Sequence, residues 1–156
     1  MKVRLAALRC RGVRDDAVRT AGFAELDPRT AYLLWQLRGQ VFVVEQQCAY
    51  LDLDGRDLEP TTTHVWVEDD GRPVGYLRVL QEADAARIGR VVIAEGHRRR
   101  RLAARLMGTA LEVVGGRPCV LDAQSYLASW YTRLGFEQTG PEFLDDGIPH
   151  VPMRRG

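Results

Sequence analysis

Between Asp27 and Gln46 the apolar residues Leu33, Leu34, Leu37, Val41 and Val44 recur at three- and four-residue spacing, the period of a helix with one buried face. Asp27 is a ready N-cap, and Pro28 fits the first helical position, where a missing N–H costs nothing. Gly39 interrupts the pattern, so the segment reads as one helix or as two joined there, with Arg38 and Glu45 carried along it. The period then drops to two. "THVWVEDDGRPVGYLRVLQE" alternates on both sides of Asp70-Gly71, which predicts two strands and a tight hairpin turn, and "ARIGRVVIA" reads as a third, more continuously apolar strand. Leu102, Leu106, Ala110 and Val114 restore a helical spacing that Gly115-Gly116 ends. "PCVLDA" predicts a strand, "SYLASWYTRLG" a helix closed by Gly135, and "FEQTGPEFL" with "IPHVPMRR" a final strand pair.

A meander, a strand–helix–strand–helix unit and a closing hairpin make an α/β domain of the α+β type, with a central mixed, mostly antiparallel sheet flanked by helices. The 156 residues match one ordinary domain. We read residues 1–22 as an N-terminal leader or first strand and residues 23–156 as the domain. No apolar run approaches the roughly 20 residues of a membrane-spanning helix. A formal net charge of +1, from 22 basic and 21 acidic side chains, leaves no global field for nucleic acid or membrane. Cys10, Cys48 and Cys119 are odd in number and far apart, which argues against a disulfide framework and for the cytoplasm.

Candidate chemistry starts at "EGHRRRRLAARLM". Arg98, Arg99, Arg100 and Arg101 precede a predicted helix, whose N-terminus already carries about half a positive charge and repels further cations. The preceding "AEGH" supplies no Ser, Thr, Asp or Asn cap, so main-chain N–H groups are left pointing forward. A bound phosphate group would answer both problems, and a solvated face of spread charges is the plain alternative. Nucleic acid fits less well, because no aromatic residues interleave with the run.

The order "RIGRVVIA", "RRRRLAARLM", "VLDAQ", "SWYTRLGFEQTG" resembles the core of the GNAT superfamily of N-acetyltransferases, whose turn after the fourth strand carries an R/QxxGxG/A signature. "LRGQVFVVEQQCAYLDLDGRDL" and "EFLDDGIPHVPMRR" extend the resemblance to the ElaA-like branch, over about residues 23–155. On that signature Arg98 takes the first position, Arg101 the internal glycine and Ala103 the final Gly/Ala, while Arg99 replaces a common glycine. The resemblance implies acetyl transfer from acetyl-CoA to a primary amine on a small molecule or peptide. It implies cofactor contacts from Arg98 to Arg101, Leu102 and Ala103, from the strand end Val91, Val92 and Ile93, and from Gln124. Tyr131 stands where the family often has its general acid, and a phenol is protonated at neutral pH and able to donate to a departing thiolate.

Relatives often carry a glutamate base on the fourth strand, but "ARIGRVVIA" has no carboxylate. The candidates are Glu45, closing an apolar helix face, and His150, an imidazole of the type that changes charge near neutral pH. Arg38, Glu45, Asp52 and His64 are candidate acceptor contacts, with "DLDGRDLE" read as an acidic rim that attracts a cationic amine, or else as a solvated loop. A calcium loop fails on spacing: with Gly55 at the sixth position, Tyr50 takes the first and Thr61 the twelfth. The histidines are too scattered for zinc, so no metal is expected. A homodimer is left open. Two rival readings remain: a coenzyme-A-binding or regulatory module without turnover, and a basic nucleic-acid-binding module.

Overall fold

A computed structural model describes residues 17–98 and 101–156. The N-terminal leader expected over residues 1–22 therefore lies outside the described residues up to position 16. A first strand, β1 (Val18–Ala21), falls within the remainder. Helix α1 (Pro28–Arg38) begins as the sequence predicts, with the Asp27 carboxylate accepting from the Thr30 N–H at 3.0 Å. At Gly39 the chain widens into a π-helical turn, Gly39–Glu45, in which Gln46 N–H bonds back five residues to the Val41 carbonyl. Leu34, Leu37 and Val41 are buried as the spacing predicts, but Val44 is 62% exposed. The wider turn advances the helix phase, so the apolar stripe rotates off the sheet before it reaches position 44.

Strands β2 (Thr63–Asp69) and β3 (Arg72–Gln81) form the predicted hairpin, with Asp70 and Gly71 both at positive φ in its turn, and β4 (Ala86–Ile93) pairs antiparallel with β3. Helix α2 (Leu102–Val114) is followed by β5 (Cys119–Gln124), the short helix α3 (Ala128–Thr132), β6 (Glu137–Gln138), β7 (Phe143–Asp145) and β8 (Ile148–Arg155). The sheet order is β1-β2-β3-β4-β5-β8-β6, with β7 also against β8. Among the described strands only β4 and β5 run parallel.

Apolar burial fixes which helix covers which face. Leu102, Leu106, Met107, Ala110 and Val114 of α2 pack with Val65, Leu77, Ile88, Leu121 and Met153 on one side, joined by Tyr131 and Phe136. Leu34, Leu37 and Val41 pack with Trp66, Tyr76 and Val92 on the other. Gly75 lets α2 come close, because a Cβ there would sit 2.8 Å from Ile93 Cδ1 and 3.0 Å from Leu106 Cδ1.

Candidate active site

Parallel strands β4 and β5 are in register at just two pairs, Ala86 with Cys119 and Arg87 with Val120. Beyond them β5 pairs with β8 and β4 with β3, so the two strands part and the edge of β4 toward Ile93 faces an opening. Ala94 N–H bonds to the Val74 carbonyl on the β3 side at 2.8 Å, so strand alternation turns the main chain of Ile93 away from β3 and into that opening. Arg98 confirms the direction by donating from Nε to the Ile93 carbonyl at 3.2 Å. The side chain of Val92 is buried against α1 instead.

A bulge reshapes this strand. Gly89 pairs with Arg78 and Val92 with Tyr76, so Arg90 and Val91 together oppose Leu77, and Arg90 takes a left-handed φ of 55°. Before the bulge Ile88 belongs to the α2 face; after it Val91 and Ile93 do, and Val92 belongs to the α1 face. One extra residue has changed which positions face which layer.

The arginine run leads into α2. Arg99 and Arg100 lie outside the described residues. Arg101 is the N-cap of α2, has φ 58° and makes no side-chain cap, and Leu102 buries its side chain in the core, leaving its main chain to face forward. The position that the signature assigns to glycine is therefore left-handed, which explains the glycine and makes Arg101 strained by roughly 1–2 kcal/mol. Arg101→Gly should raise stability by about 1 kcal/mol in thermal or urea unfolding. It should leave acetyl-CoA affinity equal or better in calorimetry; weaker binding would assign the Arg101 side chain as a ligand.

Glu45 does not close an apolar face. Its carboxylate meets Arg98 Nη2 at 2.7 and 2.9 Å, tying the end of the π-helical turn to the turn after β4. His97, just before, contacts Asp69 at 2.9 Å and ties the same turn to the β2–β3 hairpin.

On the other side of the opening, Gln124 at the end of β5 is the register partner of His150 on β8, and His150 is in turn the partner of Phe143 on β7. The three therefore share one sheet face. The carbonyl of Ile148 can only accept, so His150 Nδ1, 2.8 Å away, is the donor, and in the neutral ring Nε2 is the nitrogen with the free lone pair. The Phe143 ring stacks on the imidazole at a centroid distance of 5.9 Å. Tyr131 is buried between Trp130 and Phe136, with T-shaped contacts at 4.8 and 6.0 Å, and burial pushes its hydroxyl up to about 12.

Two carboxylates of the expected acidic rim, Asp52 and Asp57, are turned inside, while Asp54 stays at the surface. Arg38 is fully buried, donating from Nε to Asp52, from Nη1 to Asp57 and from Nη2 to the Asp52 carbonyl, each at 2.8 Å. Arg78 holds Asp54 at 2.5 Å and Asp57 at 3.0 Å, and Arg90 holds Asp52 at 2.7 Å. Three guanidinium groups thus balance three carboxylates, while Leu51 and Leu53, which flank Asp52, are 78% and 48% exposed. The Arg78 bonds hold the Asp54 carboxyl well below the usual range. His64 is also fully buried: Nε2 donates to the Asp57 carbonyl at 3.2 Å and Nδ1 accepts from the Tyr76 hydroxyl at 2.8 Å, with burial keeping the ring neutral. Arg38, Asp52 and His64 are therefore not acceptor contacts on an open surface, because their polar atoms are engaged within the fold. Arg78 and Arg90 were missed by the sequence reading. The signals were there, in a lone cation inside the apolar strand "VGYLRVL" and a break of alternation at "GRVV". No group of His, Cys, Asp and Glu among the described residues could hold a metal ion, and no described helix is long and apolar enough to cross a membrane.

The family profile described as Acetyltransferase (GNAT) domain matches residues 36–155. A protein of Mycobacterium tuberculosis is 46% identical over 90% of this chain and 93% of its own length. Protein ElaA of Escherichia coli is 38% identical over 85% of this chain and 91% of its own. The crystal structure of E. coli ElaA superposes with a TM-score of 0.85 at 34% identity, covering 90% of this chain and 99% of that one. An acyl-CoA N-acyltransferase from Pseudomonas aeruginosa superposes at 0.86 with 37% identity and the same coverage. An aminoglycoside 6'-N-acetyltransferase solved with coenzyme A shares the fold at a TM-score of 0.67 and 15% identity, covering 88% of this chain and 96% of that one.

Proposed function

The chain belongs to the GNAT acetyltransferase family, in its ElaA-like branch, and from that premise we propose that it transfers the acetyl group of acetyl-CoA to a primary amine on a small molecule or peptide. The observation that carries this reading is the parting of β4 from β5, which opens the edge of β4 toward which the main chain of Ile93, turned away from β3, faces, beside an α2 N-terminus that no described side chain caps. An extended amide-bearing arm can pair with such an edge, as a peptide adds to a sheet. A phosphate suits such a helix end. The ElaA-like relatives and the coenzyme A held by the aminoglycoside enzyme support this choice of cosubstrate.

The reaction needs a neutral amine, a polarised carbonyl and a proton for the departing sulfur. The amine nitrogen forms the new C–N bond as the C–S bond breaks, and the sulfur leaves with the electron pair. His150 Nε2 is the better placed base, because the Glu45 carboxylate is already committed to Arg98. Tyr131 Oη supplies the proton to sulfur, burial keeping the phenol protonated until the sulfur's charge develops. A main-chain N–H on β4 at the opening holds the carbonyl oxygen. The compartment we assign is the cytoplasm, in keeping with the buried and unpaired Cys48 and Cys119.

Calorimetry with acetyl-CoA and with a nonspecific oligonucleotide, followed by a screen of small amines and peptide N-termini, tests the reading. Binding of acetyl-CoA alone and turnover of an amine are expected. Oligonucleotide binding without acetyl-CoA binding would overturn it, and acetyl-CoA binding with no acceptor would favour a binding module.

A further inference from the structure

The loop between the π-helical turn and β2 reaches the bulge of β4 through one side chain. Arg90, left-handed at φ 55°, donates from Nε to Asp52 Oδ1 at 2.7 Å and from Nη2 to the Asp52 carbonyl at 3.2 Å, and its guanidinium lies over the Tyr50 ring at 5.4 Å. Asp52 is itself immobilised, since Arg38 takes its other carboxylate oxygen and also its carbonyl, and Tyr50 donates to Oδ1 at 3.2 Å. Asp54 stands 3.4 Å from Arg90 and is fixed by Arg78. A non-glycine residue in this conformation is uncommon and strained, and it persists where its surroundings hold it.

The bulge, made of Arg90 and Val91, sits just ahead of Val92 and Ile93 and decides which way the main chain and side chains from Val91 onward face. We propose that Asp52 and Arg90 are positioning residues: a half-buried ionic latch that sets the β4 bulge, and through it the direction in which the main chain of Val91 to Ile93 meets the acetyl-CoA arm. The proposal rests on the acetyltransferase reading for its ligand and on the fold alone for the latch. Asp52 thus acts on the cofactor side of the site and not on the acceptor.

Arg90→Gly tests this cleanly, because glycine accepts the left-handed φ without strain and the strand remains foldable. Acetyl-CoA should bind about tenfold to a hundredfold more weakly, the scale of a small misplacement of a binding group. The amide NMR shifts of Val91, Val92 and Ile93 should move in the unliganded protein. Arg90→Lys keeps the charge but not the two-pronged contact, and should fall between wild type and glycine. Asp52→Asn combined with Arg90→Gly should weaken binding no further than Arg90→Gly alone. Unmoved amides together with wild-type affinity in Arg90→Gly would overturn the latch, as would a lowered melting temperature with no change in either. If the wild-type protein fails to bind acetyl-CoA, the acetyltransferase reading falls, and the unliganded amide shifts still decide the latch.

Discussion

Replacing Tyr131 by phenylalanine should lower turnover by about 10²- to 10⁴-fold while acetyl-CoA affinity and stability stay close to wild type. The substitution removes one oxygen and keeps the ring, so the edge-to-face contacts with Trp130 and Phe136 survive. Because burial pushes the phenol up to about 12, its ionisation should contribute no alkaline fall in turnover at neutral or mildly alkaline pH. Steady-state kinetics with an acceptor from the amine screen, set beside calorimetry on the same preparation, reads all of this. Wild-type turnover in Tyr131→Phe would reduce Tyr131 to packing and leave the reaction to the β4 edge.

Arg38→Ala should destabilise the domain by about 3–5 kcal/mol, the usual loss when one partner of a buried ion pair is removed. Asp52 and Asp57 would be left buried with less of their countercharge, and Trp35 and Tyr76 would lose a guanidinium lying 5.0 and 5.6 Å from their rings. Such a loss is a large part of a typical domain's 5–15 kcal/mol, so the midpoint of urea unfolding should move far down or the protein should fail to fold. The slope of the transition should not change, since the surface exposed on unfolding is nearly the same. A drop within the range of an exposed ion pair, below about 1 kcal/mol, would show the site open to water. The sign of the pH dependence follows from the same cluster. Asp54 is held below its unfolded value near 4, so its contribution is present above that pH and is lost as pH falls through and below it.

The start of α1, the Asp70-Gly71 hairpin and the buried face of α2 were legible because each depends on residues a few positions apart. Val44 was misread for a local reason, the change of helical phase after Gly39. The "DLDG" loop was misread for a distant one. Asp52, and Asp57 just after the loop, point inward while Leu51 and Leu53 are exposed, and the cations responsible lie 14, 21 and 38 residues away, in the pairs Arg38–Asp52, Arg78–Asp57 and Arg90–Asp52. No local period records such partners. The helix expected after the arginine run was more legible, since α2 begins at Leu102 with Arg101 as its N-cap, but the left-handed backbone at Arg101 has no sequence signal.

The edge of β4 that faces the opening is made of main chain, and this has a consequence for genetics. A side-chain replacement cannot delete an amide N–H, so an alanine scan through Val91 and Ile93 would register lost packing and leave the pairing edge untouched. Proline is the one natural residue that removes the donor. A saturation library selected for function should therefore carry a proline-specific gap at these positions that other partly buried strand positions of the same chain, already paired, would show together with losses from bulky and charged residues. An amide-to-ester replacement made by chemical synthesis would isolate the same atom with the side chain intact.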